Sequence, residues 1–153
     1  MDLKLGYKVQ YVEEVCKMFG VAYRQRGWFD LKNGYALWFP HCDDESKNDW
    51  KNKISDGGRT IIEKNAGKSA LELLETNKRD YSEKRITFAK KNDGMYHFVG
   101  IFEINESATK SKDQMTYRRI SSEYPESKGG NWLWLVIALV LVAVVGAAAY
   151  FLM

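Results

Sequence analysis

The densest run of side chains able to hold a metal or carry a proton is His41, Cys42, Asp43 and Asp44, with His97 as the only other histidine. A zinc ion needs ligands that converge as a tetrahedron, which neighbours on one stretch of chain seldom achieve alone, and no second Cys/His pair completes the set. A nuclease-like arrangement, with Asp43 or Asp44 and the Glu45-x-Lys47 element around a divalent ion, would need carboxylates pinned at a strand end, and these sit in a charged loop. Ala66-Gly67-Lys68-Ser69 resembles the close of a phosphate-binding loop, but the earlier glycine of that motif falls on Ile62, so a helix N-cap explains it better. Cys16 has no base in view and lies on an apolar helical stripe, where a thiol packs as a small hydrophobe. The residues therefore assign no catalytic group, no metal site and no cofactor.

Aromatic excess is the more suggestive feature. Trp28, Phe29, Tyr35, Trp38, Phe39, Trp50, Tyr81, Tyr96 and Phe98 crowd a small domain in which Lys and Arg are frequent. Such rings can stack on bases or cage a small ligand, and they can equally fill the core of a small sheet. The stretch WFDLKNGYALWFP reads as a hairpin about a two-residue Asn33-Gly34 turn. That register pairs Phe29 with Trp38 and Trp28 with Phe39. Trp38 and Phe29 then share one face and Trp28 lies on the other. Trp38, Phe29 and Trp28 are the candidate ligand-binding residues, and a core role for the Phe29/Trp38 face is the competing reading.

The elements that must position these rings follow from periodicity. Val9, Val12, Val15, Cys16 and Phe19 recur at helical spacing, predicting a helix over 7–19 with Gly20 as its stop. Pro40 ends the hairpin, and the polar segment from His41 to Arg59 is expected to be a loop turned by Asp56-Gly57-Gly58, with at most one helical turn over 48–53. A second helix is predicted over 66–77, with Ala70, Leu71, Leu73 and Leu74 as its apolar side. Strands follow over 85–90, 95–105 and 114–120. Asn92-Asp93-Gly94 makes a three-residue hairpin loop between the first two, and SATKSKD is expected as a solvated loop.

From Trp132 to Met153 no side chain is charged. At about 1.5 Å per residue the run reaches about 33 Å, the thickness of a bilayer's hydrocarbon core, and predicts a transmembrane helix. Trp132, Trp134 and Tyr150 would anchor it at the two interfaces, and every Lys and Arg lies on its N-terminal side, which leaves the preceding domain cytoplasmic. Ala143 and Ala147 fit a small-xxx-small face for self-association. The division expected is a domain over 1–126, a joint over 127–131 and a membrane-spanning helix over 132–153.

Composition narrows the rest. Twenty-three basic and 20 acidic residues give a net charge of +3, too small and mixed in sign to argue for nucleic acid by itself. Two cysteines without framework spacing fit reduced thiols in a cytosolic compartment better than a disulfide.

The segment ITFAKKNDGMYHFVGIFEIN, a strand, a glycine turn and a strand containing Gly100, followed by the YRRIS strand, resembles the recurring β-element of PUA-like domains, including the EVE and SRA types. The resemblance implies a small curved barrel with an aromatic-lined pocket that recognises modified bases or nucleic acid. It transfers no ligand residue onto a numbered position. Taken together, the expectation is an α+β fold, a small bent sheet or partial barrel with two helices, followed by one transmembrane helix. The favoured function is a C-terminally anchored, non-catalytic binding or adaptor module with the membrane and a protein as partners. The alternative is PUA-like nucleic-acid or nucleotide recognition on a membrane, and the third reading is a hydrolase.

Overall fold

The computed structural model describes residues 2–43, 50–76 and 80–124. Asp2–Tyr124 forms one compact unit. The expected transmembrane helix over 132–153, its joint over 127–131, the anchors Trp132, Trp134 and Tyr150 and the Ala143/Ala147 face lie outside the described residues. Among those described, no helix is long and apolar enough to cross a membrane.

The fold is α+β, mostly sheet. In chain order the elements are β1 (Leu3–Lys4), β2 (Lys8–Val9), α1 (Val12–Met18), β3 (Trp28–Asp30), β4 (Tyr35–Trp38), β5 (Trp50–Ser55), β6 (Thr60–Asn65), α2 (Ala70–Thr76), β7 (Lys84–Lys90), β8 (Tyr96–Ile104), α3 (Glu106–Lys112), β9 (Met115–Ser121) and β10 (Glu123–Tyr124). The main sheet runs β3-β4-β7-β8-β9-β6-β5, with β2 added to β8, while β1 and β10 pair separately. Every pairing is antiparallel except β4 with β7, which is parallel.

Alternation along the central strands splits the core in two. Ile86 and Phe88 of β7 join Phe29, Leu37 and Phe98 beneath Val15 and Cys16 of α1. On the other face Trp38, Ala89, Phe102 and Tyr117 pack with Ala70 and Leu73 of α2. Each face is thus closed by a helix, the layering that buries both sides of a sheet. Cys16 is fully buried, and burial, then Glu13, pushes its thiol pKa up.

Curvature comes from β8. Its register against β7 steps from Thr87↔Gly100 to Phe88↔Phe98, leaving Val99 as an extra residue, and its register against β9 slips between Ile101 and Phe102. Such bulges bend a strand and increase its twist. Gly100 at φ +119° sits at this bend, and a Cβ there would lie 2.5 Å from both the Arg119 side chain and the Ser121 carbonyl. The bent sheet brings β5, at one end, within reach of the segment just past β4, next to the other end: Asn52 Nδ2 donates to the carbonyl of His41 at 3.2 Å.

Four expectations change. The helix expected over 7–19 is shorter, because Lys8 and Val9 pair with His97 and Tyr96 as β2, and Glu14 reaches back to accept from the Tyr11 N–H at 2.8 Å. The polar segment before Arg59 holds β5, paired with β6 from Trp50↔Asn65 to Ser55↔Thr60. The expected loop SATKSKD is largely α3, begun by Asn105 accepting from the Ala108 N–H at 3.1 Å and ended by Asp113 at φ 44°. The fourth change is the β3–β4 register. The turn has three residues rather than two: Leu31 N–H donates to the Tyr35 carbonyl at 2.9 Å, and Lys32 and Gly34 both adopt positive φ. Asp30 holds the turn by accepting from the Lys32 N–H at 2.7 Å, and Asn33 by accepting from the Tyr35 N–H at 3.2 Å. Trp28 therefore pairs with Trp38, and Phe29 with Leu37.

The expected loops hold elsewhere. Ser69 and Glu72 form a capping box on α2, with Ser69 N–H to Glu72 Oε2 at 2.8 Å and Glu72 N–H to Ser69 Oγ at 3.2 Å. Asn92-Asp93-Gly94 is the β7–β8 loop, closed by Lys91 N–H to the Met95 carbonyl at 3.1 Å. Here the Met95 backbone N–H, with the His97 and Lys8 side chains, holds the Asp93 carboxyl down at about 2. The folded value lies below that of a free chain, about 3.9. Its stabilisation is therefore complete above that pH and lost as pH falls towards about 2. Asp93→Asn is expected to lower stability at neutral pH and to flatten the pH dependence of unfolding between about pH 4 and 2, read by circular dichroism. An unchanged acid-unfolding profile would assign the carboxylate no such role.

Candidate functional site

The slipped hairpin decides which rings meet. With Trp28 opposite Trp38, both project from one face, and Trp50 of β5 comes round from the far end of the sheet to line the same cavity. The cavity holds about 850 Å³ and is open to solvent, within the range of ligand sites. Phe29 lies on the opposite face, fully buried against Phe39 at 5.9 Å between ring centroids, and is not among the lining residues. Of the three candidate residues, the structure brings Trp28 and Trp38 together and places Phe29 in the core. Trp38 is also deeply buried, at 5% exposure, while Trp28 is half-buried.

A polar chain that the sequence did not reveal forms the floor. Arg85, at 2% exposure on β7, places its guanidinium 4.9 Å from the Trp38 ring centre and 4.8 Å from that of Tyr117. Its Nε donates to Glu83 Oε1 at 2.8 Å, and Nη1 donates to the Tyr117 hydroxyl at 3.1 Å. Tyr117 in turn donates to Glu63 Oε2 at 2.8 Å. Glu83 Oε1 also accepts from the Trp28 indole at 3.3 Å. One guanidinium thus fixes two of the cavity's Trp rings, one by stacking and one through a shared carboxylate. Glu83 and Arg85 both line the cavity, so its wall carries a carboxylate next to a guanidinium.

The lip carries His41, whose Nε2 lies 3.4 Å from the Tyr96 hydroxyl and whose Nδ1 lies 3.9 Å from Asp43. Burial lowers the His41 pKa, against the raising effect of Asp43, so the imidazole is neutral at pH 7. Burial first, then Asp43, pushes the Cys42 thiol up to about 12, which keeps it protonated and a poor nucleophile. Among the described residues no three His, Cys, Asp or Glu side chains group as metal ligands. The arrangement can stack a planar ring and satisfy its polar edge.

A strongly curved sheet with helices on both faces and an aromatic cavity at its closing edge defines a PUA-like domain. The chain matches the SET and RING associated (SRA) domain over residues 7–125, and it belongs to that family. Among solved structures it is similar to the 5-hydroxymethylcytosine-specific restriction enzyme AbaSI, with 31% identity and a TM-score of 0.64 over 80% of this chain and 42% of that one. The chain thus spans less than half of that enzyme. No curated protein sequence matches it significantly. These likenesses correct the order of the functional readings: nucleic-acid recognition fits better than a membrane adaptor.

Because Trp38 packs against Tyr117 at 4.6 Å and under Arg85, Trp38→Ala is expected to cost about 3 to 5 kcal/mol, measured by chemical denaturation. Trp28→Ala, at a half-buried edge position, should cost clearly less. Equal losses would mean that the two rings are equally part of the core.

Proposed function

We propose that this protein reads nucleic acid by taking a substituted cytosine out of the duplex into the Trp28/Trp38/Trp50 cavity. Extrusion of a base into a pocket costs a few kcal/mol of stacking, which aromatic walls and a satisfied polar edge offset. The observation that carries the reading is the Glu83–Arg85 pair on the cavity wall beside Trp28 and Trp38, a carboxylate joined to a guanidinium through Oε1 and Nε at 2.8 Å. Cytosine presents an amino donor beside a ring-nitrogen acceptor, complementary to a carboxylate beside a guanidinium. Thymine presents a carbonyl acceptor beside a ring N–H donor, the reverse order. Membership of a family whose domains typically bind modified DNA, and likeness to an enzyme specific for 5-hydroxymethylcytosine, support the choice of a 5-substituted base.

Fluorescence anisotropy with duplexes that differ at one position, carrying cytosine, 5-methylcytosine, 5-hydroxymethylcytosine or thymine, tests this. A substituted cytosine should bind most tightly. Trp28→Ala should weaken that complex about 10- to 100-fold, as expected for one lost base–aromatic stack, and leave sequence-independent binding in place. Equal affinity of the wild-type chain for all four duplexes would defeat the proposal.

The uncharged run from Trp132 to Met153 supports the further reading that the module is tethered to a membrane with its N-terminal domain cytoplasmic. After alkaline carbonate extraction of membranes the chain should stay in the pellet, and recovery in the supernatant would remove the tether from the proposal.

A further inference from the structure

The outward face of the β5–β6 ribbon gathers positive charge without compensation. Lys51 lies directly opposite Lys64, and Lys53 follows two residues along the same face of β5; all three are exposed. Like charges facing across adjacent strands destabilise a sheet. No carboxylate is in ion-pair contact with any of the three among the described residues. Glu103, the acidic side chain on this side of the sheet, is already taken by Arg118 at 2.6 Å.

The stripe runs into a groove of about 690 Å³ between β5 and the β7–β8 turn, lined by Lys53 on one side and Lys91 on the other. Two acidic residues line the groove, but both are neutralised from elsewhere. Asp93 binds His97 at 2.8 Å and Lys8 at 3.2 Å, and Asp43, its side chain 5% exposed, lies 3.7 Å from Lys90. Among the described residues, Lys53 and Lys91 are left without an ion-pair partner in the groove. Asn52 lines both this groove and the aromatic cavity, so cation track and cavity meet at one side chain.

We infer that Lys51, Lys53 and Lys64, with Lys91 across the groove, form the track for the sugar–phosphate backbone of the duplex that delivers its base to the cavity. The inference rests on the base-reading proposal and adds to it where the strand runs: over the outer face of the β5–β6 ribbon, past Asn52. A polyanion is the partner that relieves the Lys51/Lys64 repulsion, and phosphates spaced along a strand fit a linear set of cations better than a single small anion does. These contacts carry affinity and register, not base identity.

The test compares the full chain, held in neutral detergent, with the Lys51→Gln, Lys53→Gln, Lys64→Gln triple variant. Each is titrated with the 5-hydroxymethylcytosine duplex and its unmodified counterpart over a range of salt. With about 0.9 counterions released per neutralised phosphate, the slope of log affinity against log salt should fall by about 2 to 3, while the preference for the modified duplex is retained. Unchanged melting temperature identifies the effect as one of charge rather than folding. An unaltered slope overturns the inference and leaves the base-reading proposal standing. A wild-type chain without preference for the modified base overturns that proposal instead, and the slopes on unmodified duplex still judge the lysines. A variant that keeps its DNA slope but loses retention on vesicles containing phosphatidylserine also overturns the inference, assigning the stripe to lipid headgroups.

Discussion

The Arg85 guanidinium is the interaction on which the cavity depends. Removing such a group from water costs several kcal/mol, and a lone buried cation would not be tolerated. Here two carboxylates answer it, Glu83 directly and Glu63 through Tyr117, and two aromatic faces flank it. Each cation–aromatic contact adds on the order of 1 to 2 kcal/mol in a desolvated setting. The net gain in stability is small by this reckoning, and the gain in definition is large. Five strands, β3, β4, β6, β7 and β9, send a side chain into the network or against it, so one centre sets the spacing of Trp28, Trp38 and Tyr117.

That centre is built from partners far apart in the chain. Trp28 and Glu83 are separated by 55 positions, Glu63 and Tyr117 by 54, and Arg85 and Tyr117 by 32. No local motif marks such a set, so periodicity and spacing could not disclose it. Strands β7, β8 and β9 were legible, because their apolar runs are long and the Asn92–Gly94 turn is unambiguous, and so was the resemblance to PUA-like domains carried by that segment. The β5 strand was hidden by Lys51 and Lys53, whose charges made the segment read as a loop although Trp50, Asn52 and Ile54 alternate with them. Helix α3 escaped because it shows little apolar periodicity: Thr109 is the residue it buries, and its caps and the Lys110–Glu106 pair hold it.

The β3–β4 register shows a different limit. A strand with one wet face announces its register, since a slip by one residue would put apolar side chains in water. Ala36, Leu37 and Trp38 are buried on both faces of β4, so either register satisfies the hydrophobic pattern. The decision falls to hydrogen bonds of the turn, above all Asp30 to Lys32, and to the positive φ of Lys32. The turn carboxylate of Asp30 thereby determines that Trp28 rather than Phe29 lies beside Trp38 in the cavity.

The parallel pairing of β4 with β7 carries a consequence for how this cavity opens. The β3–β4 hairpin joins the main sheet through that ladder, and the connection from Trp38 to Lys84 encloses β5, β6 and α2. Closing so long a loop is entropically costly and slows folding. The wall bearing Trp28 and Trp38 meets the rest of the sheet along that one ladder and is held to it by the Arg85 and Glu83 contacts. Amide hydrogens of β3 and β4 should exchange ahead of those in β8, and a ligand bridging the two ends of the sheet would act as a clasp that slows them.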